Sequence, residues 1–364
     1  MLSTYPVTAN REHARIVSVK HATLLVAVAG WLAPTASVMA AGMDAEAVVI
    51  RPGFQATSDY IEWKREGTVK TAANAMGPEK SAPTLQVRVM KRKRQRDGKN
   101  VTTKLTFDRL NLTVDSFRGP VSFDTDVDQD SPGRNPLQFV AGPAIGKSLT
   151  IEIDADTEKA EVFGMDDISL AIEETAAGKF VFEPLMPDFT TSAAGFDWVN
   201  MRLAPYPNRP VKADDTWTTS VAYDHLAMGT LRFDYKCKFK GTETVDGKVM
   251  PVISYEGKIV QPENARPGYR VFNIELEFKS GEFKGSAYYD RESKEFAKVV
   301  MDMHIEAEAI MLLGSVDKPD RFAQVFDTTT TVSVLTPEQR RQQRDDAKAA
   351  AAAKAEQEGK EDSD

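Results

Sequence analysis

Three aspartates at alternate positions, Asp124, Asp126 and Asp128, come nearest to metal chemistry in this chain. In Phe123-Asp124-Thr125-Asp126-Val127-Asp128-Gln129-Asp130-Ser131-Pro132-Gly133 they copy the first three ligand positions of a calcium loop, since carboxylates at that spacing converge when the backbone turns. The copy then breaks down. Gln129 stands where the turn needs glycine, Pro132 intrudes, and Asn135 takes the place of the bidentate glutamate, so the stretch reads first as a solvated acidic loop.

Other reactive residue types are scarce. Cys237 is the single cysteine, which excludes an intramolecular disulfide, a cysteine zinc site and a redox pair. Alternation puts it on one strand face with Phe233, Tyr235 and Phe239, where a thiol is buried and inert. His225 and His304 are the histidines beyond residue 41, and neither has a metal-ligand partner at helical or hairpin spacing. In Met301-Asp302-Met303-His304-Ile305 the histidine faces away from Met303 and Ile305, toward solvent. Gly142-Pro143-Ala144-Ile145-Gly146-Lys147-Ser148 has three residues between its glycines where a phosphate-cradling loop needs four, and it leads into a strand. No catalytic residue, cofactor or metal is therefore assigned from the sequence. A pair of hydrolytic carboxylates stays open, because such pairs meet in space and leave no spacing to find.

Charge narrows the partners. The net charge of -8 divides into +2 over 1–41, -8 over 42–335 and -2 over 336–364, an acidic balance that argues against nucleic acid. Lys91-Arg92-Lys93-Arg94-Gln95-Arg96 is the local exception. With Asp97-Gly98 behind it, this run reads as a solvated hairpin tip, and as a site for an anionic glycan or lipid headgroup in the sharper reading.

Residues 1–41 have the pattern of a targeting segment: Arg11, Arg15 and Lys20, the apolar run 22–33, then Val38-Met39-Ala40-Ala41. The run is shorter than the roughly 20 residues a membrane span needs, so cleavage after Ala40 or Ala41 is expected, with an N-terminal signal anchor as the alternative. The expected product is periplasmic or extracellular, with no membrane span in the mature chain.

The elements that would carry these residues are mostly strands. Pro205-Tyr206-Pro207-Asn208-Arg209-Pro210 cannot continue a helix or enter a sheet interior, so 205–217 is a connector between a strand-rich half with helices, 42–204, and an antiparallel meander, 218–335. Asp97-Gly98 and Asp246-Gly247 each lie between alternating runs and mark hairpins. The apolar phase slips between Phe107 and Leu110, which a bulge would absorb. Helices are expected from Asp166 toward Gly178 and over 195–203. Thr336-Pro337 opens a helix signal, but 340–364 is charge and alanine with no apolar face, so 336–364 is expected to be a disordered or weakly helical tail. The fold class is α+β, mainly β: a large curved antiparallel sheet, half-barrel or sandwich-like, with one or two covering helices and a low-complexity C-terminal tail.

At Arg209-Pro210-Val211-Lys212-Ala213-Asp214-Asp215-Thr216-Trp217 the chain resembles a family of exported bacterial proteins of unknown function that carry a Pro-Val-Lys-x-Gly-Asp-x-Trp signature. Asp214 stands where the family has glycine. The resemblance implies an exported β-rich protein and supplies no catalytic residue. Together these readings describe a non-catalytic exported protein that holds an apolar ligand, such as a lipid, or a protein partner of the envelope. The alternatives are a carboxylate-dependent hydrolase acting on a polymer and an envelope scaffold working through its charged tail.

Overall fold

The computed structural model describes residues 47–53, 55–74, 77–116, 119–128, 135–154, 159–174, 205–225, 228–265, 268, 274–311 and 319–361. The segment 1–41 and the helix expected over 195–203 lie outside them. Twelve strands follow in chain order: β1 (Thr57–Thr71), β2 (Lys80–Asp97), β3 (Asn100–Ser116), β4 (Gly119–Asp124), β5 (Ser148–Asp154), β6 (Lys159–Phe163), β7 (Thr216–His225), β8 (Gly229–Val245), β9 (Lys248–Val260), β10 (Ile274–Asp290), β11 (Glu295–Met311) and β12 (Asp320–Leu335). All join one antiparallel sheet in the order β6-β5-β3-β2-β1-β12-β11-β10-β9-β8-β7, with β4 also paired to β3. The mainly β architecture is as expected.

Alternation builds each strand. In β8, Leu231, Phe233, Tyr235, Cys237 and Phe239 are buried while the residues between them reach solvent or its margin. At 17 residues and about 3.3 Å per residue, such a strand runs for more than about 50 Å, and ribbons of that length must coil. Glycines permit the coiling. A Cβ on Gly67, Gly257 or Gly285 would strike the carbonyl oxygen of Asp327, Asp234 or Val300 on the adjoining strand, while the rings of Phe283 and Tyr255 fill the space over Gly257 and Gly285.

The phase slip at 107–110 is a bulge: Val89 pairs with Arg109 and Met90 with Phe107, leaving Asp108 unopposed. In the meander, β10 runs unbroken through Ser280, with a bulge between Phe278 and Ser280. The proline connector lies against the sheet. Val211 and Val48 form a bridge, and the Tyr206 ring sits 4.3 Å from that of Phe296. Asp214 takes a left-handed φ of 69° in the turn that precedes β7.

Among the described residues, three helices accompany the sheet. α1 (Gln138–Ala144), unforeseen in the sequence, packs Leu137, Ala141 and Ala144 inward, and α2 (Met165–Glu173) does so through Ile168 and Ile172. α2 starts behind Gly164 at φ 90°, one residue before the expected Asp166 cap. The tail, expected to be disordered or weakly helical behind the Thr336-Pro337 helix signal, forms a 25-residue helix, α3 (Pro337–Glu361). Thr336 and Gln339 cap it reciprocally, the Gln339 N–H donating to the threonine hydroxyl at 3.2 Å and the Thr336 N–H to the glutamine oxygen at 2.8 Å. What α3 buries is a guanidinium: Arg340 is 1% exposed and donates to Asp108 at 2.6 Å and twice to Asp126 at 2.8 Å. A search for an apolar face could not have found that anchor.

The basic run is corrected as well. Lys91 and Lys93 are exposed, but Arg92 and Arg94 point inward, and Arg92 is 0% exposed. Arg92 donates to Asp59 on β1 and, at 2.7 and 2.6 Å, to Glu295 at the start of β11, while Arg94 meets the same Glu295 at 3.2 Å. Burial alone would lower the Arg92 pKa. The hydrogen bonds to Asp59 and Glu295 outweigh it and hold the pKa above the ordinary value. This cluster clamps the β2 end to the β10–β11 hairpin. Arg92→Ala leaves the half-buried Asp59 without its guanidinium and the buried Glu295 with Arg94 alone, so it should cost about 3–5 kcal/mol of unfolding free energy measured in urea. A loss under about 1 kcal/mol would mean that the clamp contributes little.

Candidate functional site

On the side of the sheet opposite the phenylalanines, alternation and register place charges on a grid. Asp234, Lys258, Glu282, His304 and Asp327 stand directly opposite one another across β8, β9, β10, β11 and β12. One step along the strands, Lys236, Glu256, Lys284, Asp302, Thr329 and Glu66 make the adjoining row, which reaches β1. From β8 to β11 the sign alternates along both axes when His304 is protonated. Opposite charges on facing strands attract, by about 0.2–1 kcal/mol per pair.

This face hollows into a trough of about 1020 Å³ lined by both rows. A neighbouring hollow of about 950 Å³ extends toward β7, where Thr216, Thr218, Ser254 and Ser286 add hydroxyls around Lys236, Lys238, Lys240 and Lys284. Much of the surrounding rim is paired. Arg232 grips Asp234 at 2.8 and 2.9 Å, Lys238 meets Asp214 at 2.7 Å, and Lys279 and Arg321 share Glu308. Lys236, Glu256, Lys258, Glu282 and Lys284, in the middle of the trough, make no ion pair or side-chain hydrogen bond among the described residues. Their charged ends are open to a ligand.

Among the described residues, the reactive residue types do not assemble. His304 Nδ1 lies 2.6 Å from Asp327 Oδ1 and Nε2 lies 3.6 Å from Glu306 Oε1, so both ring nitrogens face carboxylates. The Asp327 hydrogen bond, with Glu306 adding to it, raises the imidazole pKa above the ordinary value, which favours a cation over a general base. Thr329 donates its hydroxyl to Asp302 at 2.7 Å. Cys237 is 2% exposed, and burial pushes its thiol up to about 12, as befits an inert core residue.

Two of the three aspartates of the calcium-like run, Asp124 and Asp126, converge on arginines. Arg109 binds Asp124 at 3.0 and 2.5 Å and reaches Asp126 at 3.3 Å, and Arg340 holds Asp126 from the other side. Asp128 accepts the Asp124 N–H at 2.8 Å, and Asp124 accepts that of Asp126 at 3.0 Å. The loop is thus a latch for α3, with Asp124 and Asp126 largely buried where a solvated loop was expected. Among the described residues, no three His, Cys, Asp or Glu side chains are grouped to hold a metal ion. Sequence reasoning missed Asp108, Arg109 and Arg340 as members of this cluster. The phase slip at 107–110 was the one signal pointing to it.

Residues 98–293, more than half of the chain, match the profile of a family of unknown function, DUF6263, and the chain belongs to that family. No curated protein matches it. Among solved structures, one described as lipid-protein interactions in lipovitellin is similar over 77% of this chain and 25% of that one, at 6% identity and a TM-score of 0.36. This chain therefore spans about a quarter of that chain's length. No helix among the described residues is long and apolar enough to cross a membrane.

Thiol titration tests the assignment of Cys237. Ellman's reagent should label it only after unfolding; labelling of the native protein within minutes would mark a reactive cysteine.

Proposed function

We propose that the protein is an exported, non-catalytic binding protein that receives a polar partner, a protein segment of mixed charge, in the trough over β8 to β12. The observation that carries this reading is the set of five charged side chains, Lys236, Glu256, Lys258, Glu282 and Lys284, left without partners at the centre of a large hollow. A hollow lined this way favours ligands that bring charges and hydrogen-bonding groups, and it penalises acyl chains, which would strand those charges away from water. The apolar side of the same strands is filled by its own side chains, Phe233, Tyr235, Tyr255 and Phe283 among them. Export rests on the basic stretch, apolar run and small residues of 1–41.

In-cell photo-crosslinking is the direct test. A benzophenone amino acid at Lys258 should give a discrete polypeptide adduct, and one at Val249, 66% exposed beside the β8–β9 turn, should not. Reversing Lys236, Lys258 and Lys284 to Glu should abolish capture by a crosslinker moved to Thr218. Stoichiometric acyl lipid in an organic extract of the purified protein, with no adduct at Lys258, would overturn the reading in favour of an apolar ligand. The exported form should begin at Ala41 or Gly42 by intact mass, and a full-length chain confined to the cytosol would remove the export claim.

A further inference from the structure

His304 occupies the one grid position whose charge depends on pH near neutrality. Every strand packed against it presents a carboxylate. Asp302 and Glu306 flank it on β11, Glu282 stands opposite on β10, and Asp327 stands opposite on β12. The positive charges around this group are Lys70 of β1, 3.2 Å from Asp327, and Lys284 of β10, opposite Asp302 and diagonal to His304. Glu306 is steadied by the Ser280 hydroxyl at 2.7 Å. Only an imidazolium can donate from both ring nitrogens, and here both face carboxylate oxygens.

We propose that His304 is a pH-operated keystone of the trough: as imidazolium it ties β11 to β12 and balances the surrounding carboxylates, and as neutral imidazole it leaves that half of the trough a cation-attracting surface. Its consequence for binding rests on the trough reading above; the titration itself does not. The sign follows from linkage. A histidine whose folded pKa is raised adds stability that is fully present below its unfolded value of about 6.5 and is lost as pH climbs through the folded midpoint. Asp327 moves the opposite way, its pKa lowered by the hydrogen bond from His304 and then by Lys70, so it stays ionised throughout that window.

The exported form would contain two histidines, His225 and His304, which simplifies proton–carbon NMR of the imidazole signals. The His304 midpoint should lie above about 6.5, and Asp327→Asn should lower it toward that value. With tetralysine as probe, calorimetry should find binding at least about threefold tighter at pH 8.5 than at pH 5.5, equivalent to more than about 0.6 kcal/mol. His304→Gln should bind tightly at both pH values. If His304→Gln fails to fold, the Asp327→Asn titration decides the matter. A wild-type midpoint at or below 6.5, a midpoint unmoved in Asp327→Asn, or equal pH dependence in His304→Gln would each overturn the proposal. Flat tetralysine binding while Lys258 still crosslinks to a partner would defeat the keystone and leave the trough reading standing.

Discussion

Twelve residue pairs between β1 and β12, from Tyr60 with Leu335 to Thr71 with Gln324, hold the chain as one sheet. Without that seam the strands before and after the proline connector would form two sheets, each with an additional open edge. The seam brings Glu66 beside Thr329 and so completes the charged row that starts at Lys236. It also sets β2 within reach of β11, which lets Arg92 bind Asp59 and Glu295 together. The trough and the clamp are both consequences of closing β12 onto the first strand.

The two faces handle charge differently. On the packed face, buried arginines gather at a carboxylate and at an indole ring. Arg92 and Arg94 converge on Glu295, and Arg88 and Arg65 lie over Trp63, 4.3 and 4.8 Å from its ring centre. The open face carries charges of both signs in alternation, which balances them without burying them.

Much of the strand content was legible. Asp-Gly turns and period-two alternation marked β2–β3 and β8–β9, and the slip at 107–110 marked the bulge, because all three are local signals. The β1–β12 seam was not legible, since it joins residues more than 250 positions apart and either strand could have paired elsewhere. Arg92 and Arg94 read as solvated because basic runs usually are; their inward turn depends on Glu295, some 200 residues away. The tail read as disordered or weakly helical because patterning looks for apolar stripes, and α3 is held by Arg340 in a carboxylate nest. Each charge of the trough was visible on an alternating strand. Their assembly needed the register of six strands at once.

Amide hydrogen exchange across the β1–β12 seam tests the single-sheet account most directly. The account predicts that the amides hydrogen-bonded between β1 and β12 exchange as slowly as those at the centre of β9 and β10, because all open only when the whole sheet does. Seam amides exchanging orders of magnitude faster, with β9 and β10 still protected, would show two sheets that part readily and would contradict it.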